Sequence, residues 1–176
     1  VIFTHWHWDH HNAATQEING VNKPSFPNAH HYLHREDWDL EDCQTAIINR
    51  ESAESKSLAV LHKQGLLNLL DGDTDLGSSV SIIHTPSESP GHQIVKVDSE
   101  NEVFYFLGDL YHHAIEVKYP DWVTLWSDPI AAFTERKRTA TSAFRENAVL
   151  FATHIKGFGK LESTGDGFEW HSLKDT

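Results

Sequence analysis

A mixed fold of the α/β (α+β) class is predicted by three features of this 176-residue chain. Short runs rich in β-branched and aromatic residues recur along it, two stretches carry helical periodicity, and a His or Asp follows several of the apolar runs. Strand ends in a layered sheet lie along one rim, so the loops that follow them can converge. Apolar residues make up 39% of the chain and include six tryptophans, enough for one domain over residues 1–176 with a substantial core.

The elements follow in order. Val1-Ile2-Phe3-Thr4 reads as the end of a buried strand that delivers His5 into a loop. After the turn-rich stretch from Asn22 to Asn28, Ala29-His30-His31-Tyr32-Leu33 reads as a second strand. From about Ser52 to Leu70, Leu58, Leu61, Leu66 and Leu69 recur among charged residues with helical spacing, and Asp71-Gly72-Asp73 ends that helix. Val80–His84 is a short strand, followed by a Pro/Ser/Glu loop that runs to Gly91-His92. Ile94–Val97 and Val103–Leu107 flank Asp98-Ser99-Glu100-Asn101 as a hairpin. Asp128-Pro129 starts a helix, an N-cap with proline at the first helical position, and Ile130, Phe133, Ala140 and Phe144 mark its face. Val149–Ala152 is another strand, and Lys160–Ser163 with Phe168–Ser172 form a last hairpin around Gly165-Asp166-Gly167.

Charge and cysteine content narrow the function. A formal charge of −12 repels phosphate backbones, and no Lys/Arg stripe offsets it, so nucleic acid is not an expected partner. No apolar run approaches the roughly 18 residues of a membrane span. The single Cys43 excludes an intrachain disulfide and a cysteine-based zinc cluster, so any metal must take nitrogen and oxygen ligands. The chain starts at Val1 and contains no methionine, which leads us to expect a fragment or a processed form. Its compartment stays open at this point, with the cytoplasm favoured.

His5-Trp6-His7-Trp8-Asp9-His10-His11 crowds four imidazoles and a carboxylate into seven positions. The plain alternative is a polar loop, since 14 histidines will cluster somewhere by chance. Two imidazoles one residue apart can bind the same ion, and Asp9-His10 adds an oxygen and a nitrogen donor that can face a second. Imidazole and carboxylate suit zinc, manganese, iron or cobalt, and zinc commonly takes four ligands. Four local donors cannot close two coordination shells. The distant candidates are His92, Asp109 and His154, each just past a strand.

His5-Trp6-His7-Trp8-Asp9-His10 matches the His-x-His-x-Asp-His motif of the metallo-β-lactamase-fold hydrolases. Pro90-Gly91-His92, Gly108-Asp109 and Thr153-His154 match the remaining ligand motifs in order. Trp8, the segment from Phe26-Pro27-Asn28-Ala29 to Asp37-Trp38, and Gly108-Asp109-Leu110-Tyr111-His112-His113 most resemble the quorum-quenching N-acyl-homoserine lactone lactonases. One departure is that relatives often show Thr-Pro-Gly-His-x-x-Gly-His, where this chain reads Thr85-Pro86-Ser87-Glu88-Ser89-Pro90-Gly91-His92.

The resemblance implies a four-layer αββα sandwich lacking part of its N-terminal β-segment. It implies two divalent ions, zinc foremost with manganese, iron or cobalt as alternatives. His5, His7 and His92 would hold one ion, Asp9, His10 and His154 the other, and Asp109 would bridge them. The implied reaction is opening of a small-molecule lactone or ester by hydroxide generated between the ions, N-acyl-homoserine lactones included, with Asp9 orienting the nucleophile or shuttling a proton. Some related lactonases use a tyrosine three residues after the bridging aspartate to assist at the carbonyl; here that position is His112, and either His112 or Tyr111, one residue earlier, is the catalytic candidate for that hydrogen bond. Thioester hydrolysis of the glyoxalase II kind and a noncatalytic metal-binding module are the alternatives, and a homo-oligomer is left open. His11 is expected to point away or to support a ligand. His30, His31, His34, His62, His84 and His171 are expected to be surface or packing residues. Trp6 and Trp8 are expected to pack beneath the loop and fix the ligands, with a place in the pocket lining as the alternative for Trp6, and Tyr119, Trp122 and Trp126 to form either a substrate wall or ordinary packing.

Overall fold

The computed structural model describes residues 1–173, and the chain divides into two compact units, Val1–Gly72 and the residues from Asp73 on. In the first unit, Phe3 and Thr4 are buried as expected, but the opening residues make one parallel bridge, Ile2 opposite Tyr32, rather than a strand. A single turn, α1 (Trp8–His11), leads to an antiparallel hairpin of β1 (Thr15–Ile18) and β2 (Val21–Pro24). Asn19 and Gly20 turn it with φ of +53° and +75°, the two left-handed residues of a type I′ turn. Asn22–Pro24, expected as turn, are therefore strand.

Next come β3 (His31–His34), α2 (Arg35–Trp38), α3 (Glu41–Ile48), α4 (Ala53–Lys56), α5 (Leu58–Lys63) and β4 (Leu67–Leu70), which pairs parallel with β3. The single helix expected over 52–70 is thus two short helices and a strand. Gly65, at φ +69°, ends α5. Its N–H donates to the His62 carbonyl and that of Leu66 to the Leu61 carbonyl, both at 3.0 Å, the bond pair of a Schellman cap. Leu67–Leu70 then satisfies its backbone against β3, a ladder that overrides the helical spacing of Leu66 and Leu69. Phe3, Leu33, Cys43, Leu58, Leu61 and Leu67 form the core of this unit.

The second unit is a seven-stranded sheet in the order β11-β10-β9-β8-β7-β6-β5. Its elements are β5 (Thr74–Asp75), β6 (Val80–His84), β7 (Gln93–Ser99), β8 (Glu102–Phe106), α6 (Ile115–Lys118), α7 (Pro129–Arg145), β9 (Val149–Phe151), β10 (Gly159–Thr164) and β11 (Gly167–Ser172). All pairs are antiparallel except β8 with β9. That parallel pair needs a crossover, which contains both helices. The end of β6, the start of β7 and the ends of β8 and β9 consequently share one rim.

Asp128 caps α7 as expected, its carboxylate accepting the Ile130 and Ala131 N–H groups at 2.9 Å. The helix face requires correction: Ile130 is 79% exposed and Phe133 and Phe144 are exposed, while Ala132, Arg136, Thr139, Ala140 and Ala143 are buried. Small side chains let the helix approach the sheet closely, and the guanidinium of Arg136 finds enough acceptors to tolerate burial. The core of this unit centres on Ile94, Tyr105, Leu107, Leu110 and Leu150. Among the described residues no helix is long and apolar enough to cross a membrane.

Candidate metal centre

The rim of the second unit gathers three of the expected ligands. Gly108, at φ +53°, turns the chain after β8, and its carbonyl accepts the Thr153 N–H at 3.1 Å. That bond ties the end of β8 to the end of β9 and brings Asp109 beside His154, with Oδ2 and Nε2 3.1 Å apart. His92, buried just before β7, accepts the Asp109 backbone N–H on Nε2 at 3.2 Å. Its other nitrogen, Nδ1, lies 2.8 Å from Thr85 Oγ1. With Nε2 accepting, Nδ1 carries the proton and is held by Thr85, and the lone pair of Nε2 is directed at the Asp109 segment.

His112 joins this group. Its Nε2 is 3.5 Å from Asp109 Oδ2 and 3.7 Å from Glu88 Oε1, and its ring stacks on His154 at 5.4 Å. Burial works against the imidazolium, but the hydrogen bond to Asp109 and the charges of Glu88, Asp109 and Glu116 outweigh it and raise the pKa above the ordinary histidine value. The His112 backbone N–H donates to Glu116 at 2.8 Å. Glu116 is paired at 2.8 Å with the buried Arg136, whose guanidinium also donates to the carbonyls of Leu110, Pro120 and Trp122.

The first unit holds the local motif. His5 is buried, and its Nε2 is 2.9 Å from His7 Nδ1. Thr4 Oγ1 sits between His5 Nδ1 at 3.2 Å and His10 Nδ1 at 3.3 Å, while His10 Nε2 is 3.4 Å from Asp9. Turn α1 explains this grouping, since the His10 N–H closes on the His7 carbonyl at 3.0 Å. Buried Asp37 accepts the Trp6 N–H at 3.0 Å. His11 supports the loop from beneath, with Ser57 Oγ on one ring nitrogen at 2.7 Å and the Trp6 carbonyl on the other at 2.9 Å. Trp6 packs on the core as expected. Trp8 does not, being 60% exposed.

Two nitrogens on one tetrahedral zinc lie roughly 3.3 Å apart. The His5–His7 and Asp109–His154 separations fall close to this, and Asp109, His112 and His154 each place a donor atom within 4.8 Å of the others. All of these donors are nitrogen or oxygen, so the residues present fit a divalent ion of the zinc or manganese type.

Tyr111 lies in the core, and its hydroxyl donates to the Arg136 carbonyl at 2.8 Å; burial above all pushes its pKa up. Tyr119 and Trp122 stack on each other at 4.7 Å and remain exposed along with Trp126. The motifs alone did not reveal Thr85, Asp37, Glu116 or Arg136. These residues work by hydrogen-bonding to the motif residues or to the segments that carry them, and that has no local sequence signature.

No curated protein sequence matches the chain. Residues 1–154 match the family model described as the metallo-beta-lactamase superfamily. Among solved structures, the hydrolase AbOPH of the beta lactamase superfamily is similar with a TM-score of 0.81 and 19% identity, over 99% of this chain and 64% of that one. AidC, a dizinc quorum-quenching lactonase in complex with a product, is similar at a TM-score of 0.75 and 24% identity, over 99% and 64%. A variant of AiiA from B. thuringiensis, with N-decanoyl-L-homoserine at its active site, is similar at a TM-score of 0.62 and 22% identity, over 88% and 55%. These TM-scores show a shared fold, and the chain spans less than two thirds of the length of each of the three.

Proposed function

The chain belongs to the metallo-beta-lactamase superfamily, and from that footing we propose that residues 1–176 act as one metal-dependent hydrolase domain that opens a neutral lactone or ester. The observation that carries the reading is the pairing of Asp109 with His154 at the rim of the sheet, with His92 bonded to the Asp109 N–H beside it. In this reading His5, His7, Asp9, His10, His92, Asp109 and His154 hold two divalent ions. Bound there, such ions supply Lewis acidity toward a carbonyl and bring the pKa of water toward neutrality.

The chain's own residues supply the rest. Asp109, tied by its N–H to His92 and by Oδ2 to His154, would help to hold the ions through its carboxylate. Asp9, on the exposed side of α1, orients the attacking water and takes up its proton. His112 offers its Nε2–H to the carbonyl oxygen. Tyr111, with its hydroxyl given to the Arg136 carbonyl, serves packing. Lactone specificity of the N-acyl-homoserine kind is supported by the fold shared with AidC and AiiA.

Metal analysis joined to a substrate panel tests this. Folded protein supplied with zinc or manganese is expected to bind about two ions per chain and to hydrolyse lactones or esters, and Asp109→Asn is expected to lose both properties. Well under one ion per chain in folded material overturns the ligand set. Full loading with no turnover of lactone, ester or thioester leaves a metal-binding module and overturns the hydrolase.

A further inference from the structure

The loop before His92 departs from the family motif at a position the proposed chemistry does not use. Where relatives carry the first histidine of Thr-Pro-Gly-His-x-x-Gly-His, this chain has Glu88, and its side chain is buried. A buried carboxylate is costly unless donors surround it. Ser127 Oγ donates to Oε2 at 2.6 Å and Thr124 Oγ1 at 3.4 Å, while the Trp126 indole N–H donates to Oε1. The Asp128 N–H adds a bond to the Ser87 carbonyl at 3.2 Å. These donors all come from residues 124–128, the segment that leads into α7.

Trp126 is nevertheless 65% exposed. The indole is held by its polar edge while most of the residue stands in solvent, and it lies edge-on to His112 at 6.4 Å and 86°. Anchoring an apolar ring that remains exposed does nothing for the core. It does reduce the ordering cost of receiving an apolar group against that ring.

We propose that Glu88 is a specificity-determining positioning residue: it clamps the segment from Thr124 to Ser127 so that Trp126 stands beside His112 as a wall for the uncharged, apolar part of the substrate. The inference rests on the hydrolase reading. Because the clamp is itself a carboxylate, the wall accepts an acyl or alkyl group and disfavours an anionic one.

Two measurements test it. In ¹⁵N-labelled protein, the Trp126 indole N–H is identified by its loss in Trp126→Phe. Its solvent exchange is expected to accelerate roughly tenfold in Glu88→Ala and to be largely restored in Glu88→Gln, which keeps an acceptor oxygen. Equal exchange in wild type and Glu88→Ala overturns the clamp. With metal-loaded protein, the ratio of KM for an unsubstituted lactone to KM for a long-chain alkyl lactone is expected to fall roughly tenfold in Glu88→Ala and to recover in Glu88→Gln. A variant that changes both KM values equally, or only kcat, overturns the wall. If wild type turns over neither lactone, the lactone-opening reading fails, and the exchange measurement still decides whether Glu88 clamps the segment.

Discussion

Arg136 is the residue on which most of the second unit's loop geometry depends. Its side chain is buried, paired with Glu116, and bonded to three backbone carbonyls of the segment that carries His112 and Trp122. Removing it leaves Glu116 as an unpaired buried charge, so Arg136→Met is expected to cost about 3–5 kcal/mol, read from the denaturant midpoint. Lysine is not expected to restore the loss, because a single ammonium cannot serve acceptors set out for a planar fork. A midpoint within experimental error of wild type would remove Arg136 from this role. Cys43 gives a quieter test in the first unit. Burial first, then the charges of Asp37 and Glu54, push its thiol up to about 12. The native protein is therefore expected to resist thiol reagents near neutral pH, with labelling limited by the rate at which this unit opens. Immediate stoichiometric labelling would contradict that burial.

At the scale of elements, α7 is fastened at both ends. Asp128→Ala removes the acceptor for two N–H groups and is expected to cost about 1 kcal/mol. At the other end Glu146 accepts from Lys96 on β7 at 2.9 Å and from the Tyr105 hydroxyl on β8 at 2.8 Å. Burial alone would raise this carboxyl; those two bonds and nearby positive charge outweigh it and hold it below its ordinary value. The unfolded chain then takes up the proton more readily than the native one. The contribution of Glu146 is present above the ordinary glutamate pKa and fades as pH falls through the lower native value. Glu146→Gln should accordingly lower stability at neutral pH and flatten its decline in acid, and parallel pH profiles for the two proteins would refute this. Elements with local signals were legible in the sequence: the β7–β8 hairpin, the start of α7, and β6 within its own bounds. Leu66 and Leu69 misled, because a Schellman turn at Gly65 ends the helix before them and the ladder with β3 that takes over is decided by partners distant in the chain. Ile130 and Phe133 misled for a related reason: periodicity measures an apolar face, and α7 buries its small face together with an arginine.

For the whole molecule, the candidate ligands were readable because His-x-His-x-Asp-His is compact and each later motif sits at a strand end. The groups that orient them were not, since Asp37, Thr85 and Glu116 are recognisable only from what they touch. Ligand binding to the native state alone should raise its stability with metal concentration. A hundredfold excess over Kd is worth roughly 2.7 kcal/mol per site. Zinc or manganese is thus expected to raise the thermal midpoint and a chelator to reverse the gain. A midpoint indifferent to both would argue against specific ions in the folded protein.

The left-handed Asn19-Gly20 pair that turns the first hairpin also sets how the protein ages. Glycine leaves the following amide nitrogen unshielded, so it can attack the asparagine side chain, expel ammonia and close a succinimide that reopens largely as isoaspartate. Stored material would then drift to a charge one unit more negative than −12, with an added methylene in the main chain where Ile18 faces Val21.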